Sequence, residues 1–444
     1  MSGTVGGSTT PFAHADPIYS GGNELALLKG GDALFATMGR VIATATDEVW
    51  IATYIFHQDA AGEAMVAALL AASQRGVRVR VVVDGFGAKA SLSWLHQVFD
   101  SNSGVALAVF RPIDRWYRWL QPGQLRRLHQ KLCVVDNEHG FVGGINMIDD
   151  RIDLNQGPTD EPRLDFAVHL RGPIVLPIAQ AARAVWTRAW LGRDFGEELR
   201  ALMRSREPMA RLRSMWRRVR MPRTQPDNGN AGLPEEWKSL ERGSGPPQSL
   251  PPVCAAFVLR DNLRRRRTIE HAYIDAIRAA TSQVDLITPY FYPGRSFRRA
   301  LTDAAKRGVR VRLLLQGKVD YRIAAMAAQA LYAELLSHGV QIYEYMPAYL
   351  HAKVGVVDRS WATVGSSNID PLSLLLNLEA NVLVRDTVFA TALDAEFELA
   401  LVSALPVDLQ RSPGGSGFRG IVRRALVAWA AYVYLRVAGA TGRY

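Results

Sequence analysis

The chain has little cysteine: Cys133 and Cys254 are the only two in 444 residues, too few for a disulfide scaffold or a thiolate metal site and in keeping with a reducing cytoplasm. Long apolar runs are missing too. The longest, Ala425 to Leu435, has eleven residues, whereas crossing a bilayer takes about 20, so no segment is expected to span. The first 28 residues hold neither lysine nor arginine and no apolar run. They lack what a secretory signal needs, and the mature protein is expected to begin where the sequence begins. What is present is a globular composition, 48% apolar and 21% charged, which excludes a disordered chain. At roughly 100 to 200 residues per domain, the length suggests two or three units.

Acidic charge is in deficit. The formal net charge is +11 and the pI about 9.8, which calls for an anionic partner. Arg200 to Arg223 holds nine arginines against Glu207, and Phe418 to Tyr444 holds five arginines and no acid; without these two segments the rest of the chain carries a net −2. Excess positive charge confined to two peripheral segments does not suit a groove that tracks a nucleic-acid backbone. An anionic phospholipid membrane is therefore the expected partner, with no obligatory nucleic acid. In the tail, Arg419, Arg423, Arg424 and Arg436 bracket Leu426, Trp429, Tyr432, Tyr434 and Leu435, a pattern for a helix lying in the headgroup layer or docked on the protein's own core. The Arg200 to Arg223 run suits the same surface or a solvated linker, and Met221 to Pro252, with seven prolines and four glycines, is expected to be a flexible connector.

Compared with itself, the chain repeats. Arg75-Gly-Val-Arg-Val-Arg-Val-Val-Val-Asp-Gly85 recurs as Arg307-Gly-Val-Arg-Val-Arg-Leu-Leu-Leu-Gln-Gly317. Upstream, Glu48 to Tyr54 parallels Val284 to Tyr290; downstream, Gly104 to Pro112 parallels Gly339 to Pro347. Strands alternating with helical stretches predict an α/β fold: two duplicated α/β/α halves with mainly parallel sheets, packed about a pseudo-twofold axis. The expected divisions are a flexible N-terminus (1–22), a first half (23–199), the basic and Pro/Gly-rich connector (200–252), a second half (253–405) and a basic amphipathic tail (406–444). The first half carries a 13-residue excess between Pro112 and His129. It lies within 113–128 and includes Trp116 and Trp119 among arginines, a composition for a lid that contacts lipid headgroups or for a loop packed on its own tryptophans.

The strongest local signal is His129-Gln-Lys131, four residues, Asp136, six residues, then Gly143-Gly-Ile-Asn146; it returns as His351-Ala-Lys353, Asp358 and Gly365-Ser-Ser-Asn368 at the same spacing. Side chains two apart on an extended segment share a face, so each His and Lys point together. The small residues let a turn approach closely while an Asn amide is presented to the same place. A lone His-x-Lys means little, but two copies in equivalent places of a duplication point to chemistry. The lysines oppose a metal site, and no metal or other cofactor is expected.

Two His, two Lys and two Asn meeting at one point suit a phosphodiester. Lys131, Lys353, Asn146 and Asn368 would cradle a phosphoryl group whose equatorial oxygens gain charge under attack. One imidazole would attack phosphorus while the other protonates the departing alkoxide and then deprotonates the incoming nucleophile. Each ring works best when a carboxylate holds its tautomer. Asp165 and Glu379, each expected to open a strand in matching places after the two motifs, are the candidates. Asp136 and Asp358 belong to the catalytic motif but read as its structural supports rather than as proton carriers.

These residues give the chain a clear resemblance to the phospholipase D superfamily, covering about residues 23 to 405. Within it, the chain is most similar to the bacterial cardiolipin synthases, through Arg307 to Arg310, Ala362 to Leu374, Asn377 to Asn381 and Arg260 to Asn262. Gly144 stands where the general motif has serine, which removes one hydroxyl from the first half's cradle. The resemblance implies a phosphatidyl transfer from a donor phospholipid to a histidine and then to phosphatidylglycerol, giving cardiolipin and glycerol when the donor is phosphatidylglycerol. It implies His129 as nucleophile, His351 as general acid and base, and a peripheral position on the cytoplasmic face of the bacterial inner membrane. Alternatives are a phospholipase D or nuclease using water, and a noncatalytic membrane-binding protein. Both motifs lie in one chain, so no dimer is needed to complete the site.

Overall fold

The computed structural model describes residues 17–112, 126–154, 156–203, 253–260, 267–318, 322–370 and 377–408. The expected lid with Trp116 and Trp119, most of the connector, and the tail with Arg419, Arg423, Arg424 and Trp429 lie outside the described residues. The first half contains β1 (Ser20–Lys29), α1 (Gly30–Ala43), β2 (Glu48–Thr53), α2 (Ala60–Gln74), β3 (Arg78–Asp84), α3 (Leu92–Val98) and β4 (Ala106–Phe110). It continues with β5 (Arg127–Leu128), β6 (Leu132–Val135), β7 (His139–Gly143), β8 (Ile152–Asp153), β9 (Gly157–Pro158), β10 (Phe166–Arg171) and α4 (Val175–Met203). The second half contains β11 (Val253–Arg260), α5 (Thr268–Ala279), β12 (Gln283–Thr288), α6 (Arg295–Lys306), β13 (Arg310–Gln316), α7 (Arg322–Leu336) and β14 (Gln341–Tyr345). It closes with β15 (Val354–Val357), β16 (Trp361–Gly365), β17 (Asn377–Arg385), α8 (Thr387–Val402) and β18 (Ala404–Pro406). β1 thus opens three residues before position 23, and α4 runs past 199.

The repeated Arg-Gly-Val-Arg segment has one structural job in both copies. Gly76 and Gly308 adopt φ of +90° and +89°, the left-handed conformation that ends a helix and that glycine takes without strain. Val77 N–H then bonds back to Ala72 O at 3.2 Å, and Val309 N–H to Ala304 O at 3.1 Å. The arginine before each glycine reaches sideways, Arg75 Nη2 to Ile42 O (2.8 Å) and Arg307 Nη2 to Ile277 O (3.2 Å), and so satisfies a carbonyl near the end of α1 or α5. Both helix ends are pinned where the next strand begins.

From the centre outward, the first half's strands run β1-β10-β7-β6-β2-β3-β4 and the second half's β11-β17-β16-β15-β12-β13-β14-β18, and β1 pairs with β11 so that one sheet crosses the molecule. The two orders mirror one another, as a pseudo-twofold between β1 and β11 requires. The fold is α/β with duplicated halves, but parallel pairing is narrower than the sequence pattern suggests. Among the described residues it is confined to β2-β3-β4, β12-β13-β14, the short β5–β17 contact and three isolated bridges. The other ladders of the main sheet are antiparallel, because the motif strands β6–β7 and β15–β16 are joined by tight turns, and only a helical crossover can return a strand in parallel. One apolar core lies under α4 and α8 and is continuous across both halves; separate cores fill the opposite face beneath α1–α3 and beneath α5–α7.

Candidate active site

Both motif histidines sit just before a buried strand, β6 or β15, and each is held by the other half's backbone. Leu128 pairs in parallel with Leu378, and His129 N–H donates to Leu378 O at 3.0 Å. Leu350 bridges Leu164 in the same sense, and His351 N–H donates to Leu164 O at 2.9 Å. The residue before each histidine is therefore joined to the residue before the other half's carboxylate.

That register crosses the catalytic pairs. His129 Nδ1 lies 3.0 Å from Glu379 Oε2, and His351 Nδ1 lies 2.6 Å from Asp165 Oδ2. Sequence order named both carboxylates without saying which ring each would serve; Glu379 is the third residue of β17, while Asp165 sits one residue ahead of β10. With Nδ1 engaged, Nε2 of each ring is left for substrate. Lys131 Nζ donates to His129 O at 2.7 Å, and Lys353 Nζ donates to His351 O. Tyr54 packs its ring 5.1 Å from that of His129 and 5.6 Å from Lys131 Nζ.

The twin carboxylates differ in charge. Burial pushes Glu379 up, but the charges of His129, Arg260 and Lys131 outweigh it and hold Glu379 below its ordinary range. Ser366 Oγ adds a hydrogen bond to Glu379 Oε2 at 2.5 Å. Asp165 has no such hydroxyl: Gly144 replaces the serine, and a Cβ there would lie 2.3 Å from Asp165 Oδ1. Burial raises Asp165 to about 7 despite Lys353, with the Asp150 carboxylate pushing the same way. The expectation that Gly144 costs the phosphate cradle a hydroxyl is thus corrected: the serine hydroxyl belongs to the orienting carboxylate, and glycine makes room for the shorter Asp165.

Proton occupancy follows. Burial lowers His129 to about 4 against the pull of Glu379, so that pair holds a neutral ring and an anionic carboxylate at neutral pH. Burial and then Lys353, Arg163, Lys131 and His129 depress His351 well below its usual range, while Asp165 rises; that pair holds one shared proton up to about pH 7. Burial also brings Lys131 down to about 7.

The remaining motif residues divide. Asn146 and Asn368 are both buried; Asn146 Oδ1 accepts Ile55 N–H at 3.3 Å, while Asn368 Oδ1 is buried without a partner. Asp136 and Asp358 occupy tight turns at φ +51° and do not touch the imidazoles. Asp136 accepts the backbone N–H groups of Thr46, Asp47 and Glu48, and Asp358 those of Thr281, Ser282 and Gln283. Those donors overcome the burial penalty and hold Asp358 at about 2. Both act as supports, tying the motif hairpin to the start of β2 or β12. Arg163 and Asp150 were missed by sequence reasoning, and Arg260 entered it only within the stretch Arg260 to Asn262: none is adjacent in sequence to the residue whose charge it shifts. Tyr54 was visible only as the partner of Tyr290 in the repeat.

Two imidazoles, each held at Nδ1 by a carboxylate of the other half and near enough for the charge of His129 to act on His351, form an arrangement that suits phosphodiester transfer. Residues 38–157 and 273–400 match the family described as cardiolipin synthase, PLD-like domain. Cardiolipin synthase B of Escherichia coli strain K12 is 34% identical over 369 residues, 83% of this chain and 78% of that one. Cardiolipin synthase A of Pseudomonas putida is 31% identical over 368 residues, 83% of this chain and 66% of that one. Among solved structures, the phosphatidylserine synthase of Haemophilus influenzae shares the fold with a TM-score of 0.57 at 12% identity, covering 94% of this chain and 93% of that one. The chain belongs to the cardiolipin synthase family of phospholipase D-like phosphatidyltransferases, which implies phospholipid substrates.

Proposed function

We propose that the chain makes cardiolipin by moving a phosphatidyl group to the free hydroxyl of phosphatidylglycerol. His129 Nε2 attacks phosphorus; the N–P bond forms, the P–O bond to the headgroup breaks, and the leaving alkoxide takes its proton from the His351–Asp165 pair. In the second step the acceptor hydroxyl returns a proton to His351 as its oxygen bonds to phosphorus and the N–P bond breaks. With phosphatidylglycerol as donor, the products are cardiolipin and glycerol. Lys131, Lys353, Asn146 and Asn368 surround the phosphoryl oxygens; the steps use only side chains of this chain.

The observation that carries the direction of attack is the difference between the crossed pairs. Burial keeps His129 unprotonated against the pull of Glu379, and Glu379, anionic beside Arg260 and Ser366, is placed to stabilise the positive ring of a phosphohistidine, whereas Asp165 beside Gly144 and Asp150 retains the proton a general acid needs. Among the described residues no helix is long and apolar enough to cross a membrane. Peripheral binding to the cytoplasmic face of the bacterial inner membrane, through the basic tail and the Trp116/Trp119 segment, is the proposed location. The proposed divisions are two catalytic halves, the first running from β1 through α4 and the second from β11 through β18, with a connector between them and a basic tail after the second.

The test is incubation of the purified chain with phosphatidylglycerol vesicles in excess chelator. Cardiolipin and glycerol are the expected products. Phosphatidic acid as the main product makes the chain a lipase, no turnover makes it a scaffold, and cleavage of single-stranded DNA without lipid turnover overturns the assignment.

A further inference from the structure

The halves differ at one more place, outside the pair of histidines. A cavity of about 40 Å³, open at its mouth, lies at the carboxyl ends of β12 and β13, with Tyr290, Gln316, Gln329, Tyr332 and Glu344 supplying its polar lining. Crevices at the carboxyl ends of parallel strands are where open α/β sheets take ligands. Gln316 links this one to the catalytic loop: its Oε1 accepts Leu350 N–H at 2.7 Å, immediately before His351. That bond fixes which way the amide faces, since only its oxygen can accept. The other amide atom, Nε2, is buried with no partner. Across the cavity, Tyr332 hydroxyl donates to Glu344 Oε1 at 3.2 Å.

Among the described residues, the matching positions of the first half are arranged differently. Asp84, in the place of Gln316, spends both oxygens internally: Oδ2 accepts Leu128 N–H, Oδ1 accepts Phe86 and Gly87 N–H, and Arg127 lies 3.6 Å away. Val109 stands where the repeat has Glu344. The polar cavity is therefore not something the duplicated fold needs in order to form.

We propose that this cavity is the acceptor's headgroup subsite, holding the glycerol hydroxyls of phosphatidylglycerol beside His351. The proposal rests on the transfer reading above and adds which residues choose the acceptor. The chemistry of the wall selects the ligand. Among the described residues no lysine or arginine lines the cavity, so what is described of its wall does not suit a second phosphate. A hydroxyl can accept from Gln316 Nε2 and donate to Glu344, satisfying both; an ammonium can only donate, and leaves the amide nitrogen unpaired. A glycerol headgroup fits where an ethanolamine headgroup does not. The cavity's link through Gln316 to Leu350 joins it to the loop that carries His351, the group that must deprotonate the attacking hydroxyl.

Two measurements test this. In a His129→Ala chain, which consumes nothing, saturation-transfer NMR is run with glycerophosphoglycerol and with glycerophosphoethanolamine. Signal is expected on the headgroup protons of the first only, and adding Glu344→Gln or Tyr332→Phe should weaken its binding about tenfold, the worth of one hydrogen bond. In the otherwise unaltered chain acting on phosphatidylglycerol vesicles, either variant should raise the acceptor KM by a similar factor and increase the share of phosphatidic acid. Release of an activated leaving group, which reports phosphoenzyme formation, should stay unchanged. Equal binding of both headgroups, or an acceptor KM that neither variant moves while the parent makes cardiolipin, overturns the subsite. A parent chain that makes no cardiolipin overturns the transfer reading instead.

Discussion

At the scale of single residues, the site is two chemically unequal copies of one motif. The inequality traces to a few atoms: a serine hydroxyl and an arginine beside Glu379, a glycine and a second carboxylate beside Asp165. Two predictions belong here. His129→Ala should yield no trapped phosphoenzyme with a substrate carrying an activated leaving group, while His351→Ala should still accumulate one, because such a group departs without a proton; acid-quench labelling reads both, and the opposite pattern exchanges the roles. The second concerns pH. A group whose pKa is raised keeps its proton below that value and loses it above, so kcat/KM should fall as pH rises through about 7, where the Asp165–His351 pair deprotonates. Asp165→Asn removes the site that shares the proton and should cost roughly 10²- to 10⁴-fold at neutral pH, with the alkaline limb displaced in the pH profile. An unchanged limb would show that another group supplies the proton.

At the scale of elements, the two halves are joined through β1 and β11, and one buried side chain organises that seam. Asn23 Nδ2 donates to Ser20 O (2.7 Å) and to Val253 O (3.1 Å) of the other half, while its Oδ1 accepts Ile174 N–H (2.9 Å) at the start of α4. Asn23→Ala should destabilise the chain by about 2–3 kcal/mol, since it leaves buried backbone groups unpaired, and a urea midpoint measures it. A change within about 0.5 kcal/mol would mean that water replaces the amide fully. Elements were also where sequence patterns proved least complete. The helices and the parallel strands β2-β3-β4 and β12-β13-β14 were visible from their repeat. The antiparallel majority was not, because a buried strand reads as the same apolar run whichever way its neighbour points.

At the scale of the whole molecule, charge is distributed by segment. The described body holds the twin motifs, and the two arginine-rich segments, Arg200 to Arg223 and Phe418 to Tyr444, lie mostly beyond it. Deleting residues 418–444 should weaken sedimentation with anionic vesicles, most at low salt, because screening at about 0.15 M confines surface attraction to roughly 8 Å. Vesicle binding that is indifferent to the deletion removes the tail from the membrane account.

The amino-acid order alone determined the duplication, the identity of both His-x-Lys motifs and the two carboxylates that serve them, because repeats and fixed spacings survive as local patterns in one dimension. Tertiary structure decided the crossing. His129 meets Glu379 across 250 positions and His351 meets Asp165 across 186, since parallel contacts between the halves bring the residue before each ring against the residue before the opposite carboxylate. It decided as well that burial and neighbouring charges push the two carboxylates in opposite directions, Asp165 up and Glu379 down. That difference arises from burial and from side chains brought near in space, whose fields depend on distance through the folded protein and not on separation along the chain.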